Sequence, residues 1–183
     1  MLHVGGPLLT GGYEMARPIK SVWLFLLGLL GLHGTSAFAQ NADVLCIPGA
    51  SGDSTVVAGC IDVLSWSWGA GNSGPPTHID LSDVSFMKQT DSASDDLFMY
   101  LVTGKTFTAQ YSQYANTCCS PTPYLTIHFS GAFLSSWQNS ASSEKPTESL
   151  SLSFDAVSYC YTPPAGAAQC SAWSKTSGVV PPF

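Results

Sequence analysis

Ser149-Leu-Ser-Leu-Ser-Phe-Asp-Ala156 alternates polar and apolar residues without a break. Such alternation puts every second side chain on one face of a β-strand, so that one face is dry and the other is wet. We predict a strand over residues 149–160. Tyr124-Leu-Thr-Ile-His-Phe129 repeats the alternation in the opposite phase, and it predicts a second strand. The chain is therefore expected to be mainly β.

Two further segments show strand character. Residues 61–68 predict a strand whose dry face carries Leu64, Trp66 and Trp68. Residues 79–87 change phase between Leu81 and Val84, which indicates either a bulge or a turn of the strand at a barrel corner. Together with the first two strands, these segments favour a closed or sandwich-like β core.

One segment has helical spacing instead. Ser92-Ala-Ser-Asp95 has the form of a capping box, and Gly104 stands where a helix usually ends. Between them, apolar residues recur at helical intervals, namely Leu97, Phe98, Leu101 and Val102. We predict one short helix over residues 93–103, packed on the outside of the β core. Asp95 and Asp96 would then lie at the positive end of its dipole.

The first 39 residues have the features of a signal peptide. Arg17 and Lys20 precede an apolar run over residues 22–32, and small residues follow at Ala37 and Ala39. The apolar run is too short to cross a bilayer, which takes about 20 residues, so no stable membrane anchor is expected. We predict cleavage after Ala39 and secretion through the periplasm. Met15 is an alternative start, because the residues before it have no targeting character.

Residues 40–183 remain, and they are expected to form a single domain. The complete chain carries six Lys and Arg against twelve Asp and Glu. Removal of residues 1–39 leaves four Lys, no Arg and eleven acidic residues, a net charge of −7. This charge has the wrong sign for neutralising phosphates, so nucleic acid is not expected as a partner.

All six cysteines lie in the mature part of the chain: Cys46, Cys60, Cys118, Cys119, Cys160 and Cys170. Export delivers them to a compartment where disulfides persist, so three bridges are expected. Six cysteines allow 15 pairings, and the adjacent Cys118 and Cys119 favour separate partners. Cys46 with Cys60 is the local pairing that we predict. No zinc-ligand spacing is present, and no metal site is predicted.

Motifs for catalysis are weak or absent in this sequence. Gly49-Ala-Ser-Gly-Asp53 lacks the second glycine of a nucleophile elbow. A Ser-His-Asp site would need His78 or His128, and each has an ordinary structural explanation. Asp95 with Asp96 could form a carboxylate pair, but neighbours on a helix diverge and helix capping already explains them. We predict no catalytic residue and no cofactor.

Two binding possibilities stay open at this stage. A calcium site near Asp80 and Asp83 is one, although the usual loop pattern for calcium is missing. A sugar-binding platform built on Trp137 and Trp173 is the other, since these two tryptophans could be exposed.

The residues in order resemble a known family. Five segments carry the likeness: Ile61-Asp-Val-Leu-Ser-Trp-Ser-Trp-Gly69, Leu81-Ser-Asp-Val-Ser-Phe-Met-Lys-Gln-Thr-Asp91, the helix with Lys105 after it, Tyr124-Leu-Thr-Ile127, and Pro146-Thr-Glu-Ser-Leu-Ser-Leu-Ser-Phe154. Ala172-Trp-Ser174 resembles a remnant of the last strand. They are similar to the Hcp family, the haemolysin-coregulated tube proteins of type VI secretion systems. The likeness covers residues 41–176.

The resemblance implies a small β-barrel of two antiparallel sheets with one flanking helix. It also implies hexameric rings that stack into a hollow tube, with the chain itself as partner and protein cargo as a further candidate in the lumen. Family members are structural proteins without an active site. Exposed apolar surface on such a weakly charged barrel would be covered by other copies.

Two features depart from the family pattern, namely the signal peptide and the cysteines, which include the insertion Thr117-Cys-Cys-Ser120. We therefore expect an exported relative whose disulfide-hardened rings assemble at or beyond the cell surface. Residues 69–76 and 178–183 are the candidates for ring-to-ring contacts. The alternatives are a secreted or periplasmic binding or cargo module that does not polymerise, and a secreted hydrolase.

Overall fold

A closed barrel forms the centre of the molecule. The computed structural model describes residues 41–74, 79–115, 122–141 and 145–183. The elements in these ranges, in chain order, are β1 (Ala42–Cys46), β2 (Ile61–Ser67), β3 (Ala70–Asn72), β4 (Ile79–Leu81), β5 (Val84–Gln89), α1 (Ser94–Thr103), β6 (Phe107–Tyr114), β7 (Pro123–Ser140), β8 (Thr147–Ser153), β9 (Ala156–Tyr161), β10 (Gln169–Ser174) and β11 (Gly178–Val180).

Six antiparallel strands close the barrel, in the order β7-β6-β1-β2-β5-β8, with β8 pairing back onto β7. From β7 the sheet also continues outward through β9, β10 and β11. The short strands β3 and β4 form a separate two-stranded sheet. This architecture confirms the prediction of a small, mainly β barrel with one flanking helix.

The long strand β7 belongs to both walls of the barrel. Its first half pairs with β6 and β9, and its second half pairs with β8. Gly131 lies at the change-over with a φ of 60°. A Cβ added there would collide with the Asp155 carboxylate. Glycine therefore allows the strand to bend where it passes from one wall to the other.

The barrel interior is filled by alternating apolar side chains, as the sequence pattern predicts. The largest of its fully buried members are Tyr111, Phe86, Phe129, Phe154, Leu45, Ile61, Leu97, Ile127, Leu150 and Leu152. The rings of Phe86, Phe129 and Phe154 pack against one another. The ring centroids of Phe86 and Phe129 are 6.5 Å apart, and those of Phe129 and Phe154 are 5.0 Å apart. Aromatic rings at these separations add specific geometry to the burial of apolar area.

A bulge in β2 corrects the predicted face of one residue. Val63 pairs with Lys88 and Ser65 pairs with Met87, so β2 has one more residue than β5 at this point. Val63 is consequently buried and Leu64 is 54% exposed. Beyond the bulge the inward-facing positions change from odd to even residue numbers. Trp66 and Trp68 therefore pack against the core, as predicted. The expectation that Leu64 shares their face was wrong.

Two predicted strands are each divided in the structure. Residues 149–160 form the end of β8 and most of β9, separated by Phe154 and Asp155. Residues 79–87 form β4 and the first part of β5, because β4 leaves the barrel to pair with β3. The phase change between Leu81 and Val84 therefore marks a turn between two strands.

The helix has the predicted length, but its start is fixed by different residues. The Oγ of Ser94 accepts the Asp91 N–H at 3.0 Å, while Asp91 Oδ1 accepts the Ala93 N–H at 3.1 Å. These two bonds tighten the turn before the helix, but they do not form a capping box, and the N-cap residue Ala93 has no side-chain cap hydrogen bond. The predicted Ser92–Asp95 capping box was therefore wrong. Ser92 instead donates its hydroxyl to Asp53. At the other end, Gly104 adopts the left-handed conformation, as predicted.

Several predictions fall on residues outside the described ranges. These are the signal peptide over residues 1–39, His78, Cys118 and Cys119. In the parts of the chain that the structure describes, no helix is long and apolar enough to cross a membrane.

Candidate assembly surface

A buried ionic network fixes the helix to the barrel. Lys88 on β5 is paired in register with Glu148 on β8, and each residue is only 1% exposed. The Lys88 ammonium donates to Glu148 at 2.8 Å and to Ser94 at 2.9 Å, and it lies 2.7 Å from Asp91. The hydroxyl of Ser94 in turn donates to Glu148 at 3.0 Å. One lysine thus joins two barrel strands to the first turn of α1.

This network sets the protonation of its glutamate. Burial by itself would raise the pKa of Glu148. The hydrogen bonds from Lys88 and Ser94, with the positive charge of Lys88, outweigh that effect and hold the pKa below its ordinary value. Glu148 is therefore ionised at neutral pH, as a buried charge with a partner of opposite charge requires.

Two disulfides fix other parts of the molecule, and the loop closed by one of them contacts α1 through a hydrogen bond from the Tyr100 hydroxyl to the Pro48 carbonyl at 3.2 Å. Cys46 at the end of β1 is joined to Cys60 just before β2, the pair that we predicted from the sequence. Cys160 on β9 is joined to Cys170, its direct partner on β10. The first bridge closes the loop of residues 47–59, and the second ties the outer strands together. The pairing of Cys118 and Cys119 stays a prediction.

The disulfides share the outer face of the sheet that runs from β1 to β11. Directly paired residues carry their side chains on the same face. One such row contains, from β1 outward, Cys46, Gln110, His128, Ser158, Ala172 and Val180. The neighbouring row carries Thr126, Cys160 and Cys170. This face is therefore the outer one, away from the buried Ile127 and Tyr111.

The loop of residues 47–59 covers one part of this outer face. A second small core lies beneath it, made of Val44, Cys60 and Tyr114 with Val56 and Val57 against them. The Ser92 hydroxyl donates to the Asp53 carboxylate at 2.6 Å, which ties the loop to the turn before α1. That hydrogen bond lowers the pKa of Asp53.

A cleft of about 580 Å³ opens beside this loop. Its lining combines three parts of the chain. They are the loop (Cys46, Ile47, Pro48, Gly49, Ser51, Ala58, Gly59 and Cys60), the strands β6 and β7 (Thr108, Ala109, Gln110, His128, Phe129 and Ser130), and the distant Phe183. Although the chain has a net charge of −6, this lining holds no Asp, Glu, Lys or Arg. The cleft is thus an uncharged recess on a strongly acidic protein.

His128 is the titratable side chain in this cleft. Burial lowers its pKa, so the imidazole is neutral at physiological pH. In the described ranges, His128 makes no side-chain hydrogen bond to a serine, aspartate or glutamate. The structure therefore brings His128 to the cleft without the partners of a catalytic triad.

An apolar ridge lies on the outer side of α1. Leu97 and Tyr100 are buried against the barrel, whereas Phe98, Met99 and Val102 are between 42% and 56% exposed. The sequence pattern placed Phe98 and Val102 among the apolar residues of the helix, and the structure turns both outward. Phe98 contacts Trp137 on β7, with ring centroids 5.6 Å apart. Three half-exposed apolar side chains on one helix are unusual for an isolated soluble domain.

The remaining candidate residues are spread over the surface. Asp80 is exposed on β4, and the Asp83 carboxylate accepts a hydrogen bond from Ser135 at 2.6 Å. Asp95 and Asp96 lie in the first turn of α1, the positive end of its dipole. Trp137 and Trp173 are partly buried and pack against the core, so neither forms an open platform. No group of three or more metal-ligating side chains occurs in the described ranges.

These features place the chain in the class of small antiparallel β-barrels with one flanking helix. A closed barrel carries one helix, and its uncharged cleft and exposed apolar ridge both suit contact with other protein chains.

Comparison with known proteins agrees with this class. The family described as "Type VI secretion system effector, Hcp" matches residues 38–161. The chain therefore belongs to the Hcp family, which confirms the resemblance found in the sequence. A search of curated proteins gave no match.

Solved structures give the same fold. Hcp1 from Salmonella typhimurium is 24% identical, with a TM-score of 0.67 over 76% of this chain and 97% of that chain. Hcp2 from the same organism is 25% identical, with a TM-score of 0.63 over 76% and 99% of the two chains. A type VI secretion system effector from Yersinia pestis is 24% identical, with a TM-score of 0.63 over 72% and 98%.

Sequence reasoning missed the ionic network and the cleft. Lys88 and Glu148 are 60 residues apart, and Phe183 is 53 residues beyond the last of the other cleft residues. Only the strand register brings these groups together, and no local pattern in the sequence indicates it.

Proposed function

We propose that the mature chain, beginning at Gln40, is a structural subunit that assembles after export. Its rings are hexameric, and they stack into a hollow tube or fibre at or beyond the cell surface. The observation that carries this proposal is membership of the Hcp family. The fold of the solved Hcp proteins, present over nearly their whole length, supports it.

The exposed apolar residues give a physical reason for association. Exposure of the ridge of Phe98, Met99 and Val102 to water is unfavourable, and its burial in an interface would lower the free energy. Val179 on β11 is 82% exposed and lies in one of the segments expected to contact the next ring. The other segment, residues 69–76, includes β3, whose three residues are exposed and which pairs only with β4 in the described part of the chain.

The disulfides support a location outside the cytosol. Bridges between Cys46 and Cys60 and between Cys160 and Cys170 persist only where the surroundings are oxidising. Cleavage after Ala39 and export would supply that condition.

The experiment is to export the full chain and purify it without reductant. Intact-mass measurement is expected to find a chain starting at Gln40 with its six cysteines oxidised. Light scattering and negative-stain electron microscopy are expected to show large assemblies with rings and tubes. A chain that stays monomeric at high concentration under oxidising conditions would overturn the proposal. A single stable ring that never stacks would favour the non-polymerising binding or cargo module instead.

A further inference from the structure

The two disulfides differ in how far their cysteines are exposed to solvent. Cys60 is only 7% exposed and belongs to the small core beneath the loop of residues 47–59. Its partner Cys46 is half-buried at the end of β1. In the second bridge, Cys160 is half-buried on β9, whereas Cys170 on β10 is exposed. Cys170 is therefore the bridged cysteine that a dissolved reagent reaches most easily.

The strand register sets the direction from which Cys170 can be attacked. A thiolate attacks a disulfide sulfur in line with the S–S bond, from the side opposite to the sulfur that leaves. Cys160 and Cys170 are direct partners, so this line crosses from β9 to β10 and leaves the sheet at the outer edge of β10. β11 pairs with β10 only at residues 172–174, and in the described part of the chain no other strand borders Cys170 on that edge. The edge beside Cys170 is therefore open to a thiol.

Within the described ranges, the other three bridged cysteines are flanked on the corresponding side. Behind Cys160 lies β7, with which β9 is paired at that position. Behind Cys46 lies β6, paired with β1 at that position. Cys60 is enclosed by the loop of residues 47–59. Access and direction of attack therefore both favour Cys170.

The chain around Cys170 is also free of charge. Residues 156–174 include no Asp, Glu, Lys or Arg, although the chain as a whole has a net charge of −6. The loop that precedes β10 carries small residues at positions 165–168, and all four are exposed. A negatively charged thiolate is repelled by nearby carboxylates, and this stretch has none. It therefore presents neither like charge nor bulk to an approaching thiolate.

We propose that Cys170 is a thiol-exchange site, which takes up a small thiol of the glutathione class as a mixed disulfide. The thiolate attacks Cys170 Sγ, the bond between Cys160 and Cys170 breaks, and Cys160 Sγ takes up the proton that the small thiol has lost. One disulfide replaces another, so the exchange needs no further oxidant or reductant. The inference goes beyond the proposed function and does not require assembly.

The exchange is reversible, because the strands keep the released Cys160 beside Cys170. β9 and β10 are joined by six directly paired residues, and the two cysteines are only one of these pairs. The next pair on the same face, Ser158 with Ala172, is buried, and Trp173 packs against the core. The Cys160 thiolate can therefore attack the mixed disulfide, expel the small thiol and restore the bridge.

The direct test is to incubate the exported chain, purified without reductant, with reduced glutathione at neutral pH. Free thiols are then trapped with N-ethylmaleimide, and the peptides are mapped by mass spectrometry. Glutathione is expected on Cys170 with Cys160 alkylated, at a rate roughly tenfold or more above the opening of the Cys46–Cys60 bridge. Equal rates at the two bridges, or glutathione mainly on Cys160, would overturn the proposal.

Paired serine variants locate the reacting bridge. Replacing Cys160 and Cys170 together by serine is expected to abolish the fast uptake of glutathione. Replacing Cys46 and Cys60 together is the matched control, and it is expected to leave the rate at Cys170 within about twofold of the wild type. Fast uptake that survives the first replacement would overturn the assignment. Circular dichroism shows whether each variant keeps the fold, and the wild-type peptide map decides the proposal if one of them does not.

A charge placed near Cys170 tests which sulfur is attacked. Ala168→Asp puts a carboxylate two residues before Cys170, about 7 Å away along an extended chain. It is expected to slow the exchange about threefold at low ionic strength, because it repels the thiolate. Ala168→Asn has nearly the same shape without the charge and is expected to leave the rate unchanged. Equal rates in these two variants would contradict attack at Cys170.

Discussion

The helix is held to the barrel by buried charges, whereas the loop of residues 47–59 and the outer strands are held by disulfides. Lys88, Asp91 and Glu148 make the first attachment, and the bridges Cys46–Cys60 and Cys160–Cys170 make the second. The ionic attachment forms in any compartment but depends on pH. The covalent attachment is indifferent to mild acid but forms only in an oxidising compartment.

The difference shows which attachment depends on an oxidising compartment. The helix side can fold in the cytosol, the periplasm or outside the cell, because nothing in its network needs oxidation. The cleft side reaches its final form only after the disulfides close, and the cleft lies beside the first of them.

Lys88→Met is expected to have the largest effect on stability. It removes the cation and leaves the buried Glu148 carboxylate facing Asp91 without a partner of opposite charge. Loss of one partner of a buried ion pair costs about 3 to 5 kcal/mol. Urea denaturation followed by tryptophan fluorescence measures the change.

Lys145→Met is the matched control, because Lys145 is exposed and its loss is expected to change stability by less than about 0.5 kcal/mol. The double variant Lys88→Met with Glu148→Met is expected to be more stable than Lys88→Met alone, since the orphaned carboxylate is gone. If Lys88→Met costs no more than the Lys145 control, the network does not hold the helix side.

Removal of the disulfides is expected to have the next largest effect. Replacing Cys46 and Cys60 by serine, or Cys160 and Cys170 by serine, is expected to cost about 2 to 4 kcal/mol in each case. The two costs are expected to be similar, because the bridges span similar separations of 14 and 10 residues. Hydrogen exchange is expected to locate the loss in residues 47–59 for the first variant and in β10 for the second. Exchange that rises no more in these segments than in the rest of the chain would contradict the assignment of these bridges.

Acid is expected to weaken the helix side selectively. The pKa of Glu148 is lowered in the folded chain, so its contribution to stability is complete above its ordinary value of 4.5. That contribution is lost as the pH falls through the lowered value, because the unfolded chain then binds the proton more readily. Denaturation midpoints measured from about pH 7 to pH 3 are expected to fall more steeply for the wild type than for Glu148→Gln. Parallel curves for the two proteins would contradict this assignment.

The sequence predicted those parts of the fold that depend on local pattern. Alternation identified β2, β5, β8, β9 and the first part of β7, and Gly104 identified the end of the helix, because each signal lies within a few neighbouring residues. Strands β1 and β6, which complete the barrel, were not predicted from alternation. The hydrogen bonds among Asp91, Ala93 and Ser94 at the start of the helix escaped prediction, since Ser92 and Asp91 are equally good cap residues in composition alone. Only the contact between Ser92 and Asp53 on a distant loop decides between them.

The surface was predicted less well, for a related reason. The cleft depends on register across β1, β6 and β7 and on the return of Phe183, all of which are long-range features. The apolar ridge depends on which side of α1 meets the barrel, and Phe98 and Leu97 are indistinguishable in a hydrophobic pattern. The family resemblance predicted the function, whereas the apolar ridge and the cleft were found only in the structure.

The smallest expected effect tests the bulge in β2, which leaves Val63 buried and Leu64 exposed. Leu64→Asn is expected to change stability by less than about 0.5 kcal/mol, because the extra residue in β2 turns Leu64 into solvent. Val63→Ala is the matched variant one residue earlier, and it is expected to cost about 1 to 3 kcal/mol because Val63 points into the barrel. Without the bulge, strict alternation from Trp66 would bury Leu64 and expose Val63, and the two costs would be reversed. Urea denaturation of both variants therefore decides whether β2 carries its extra residue at this position.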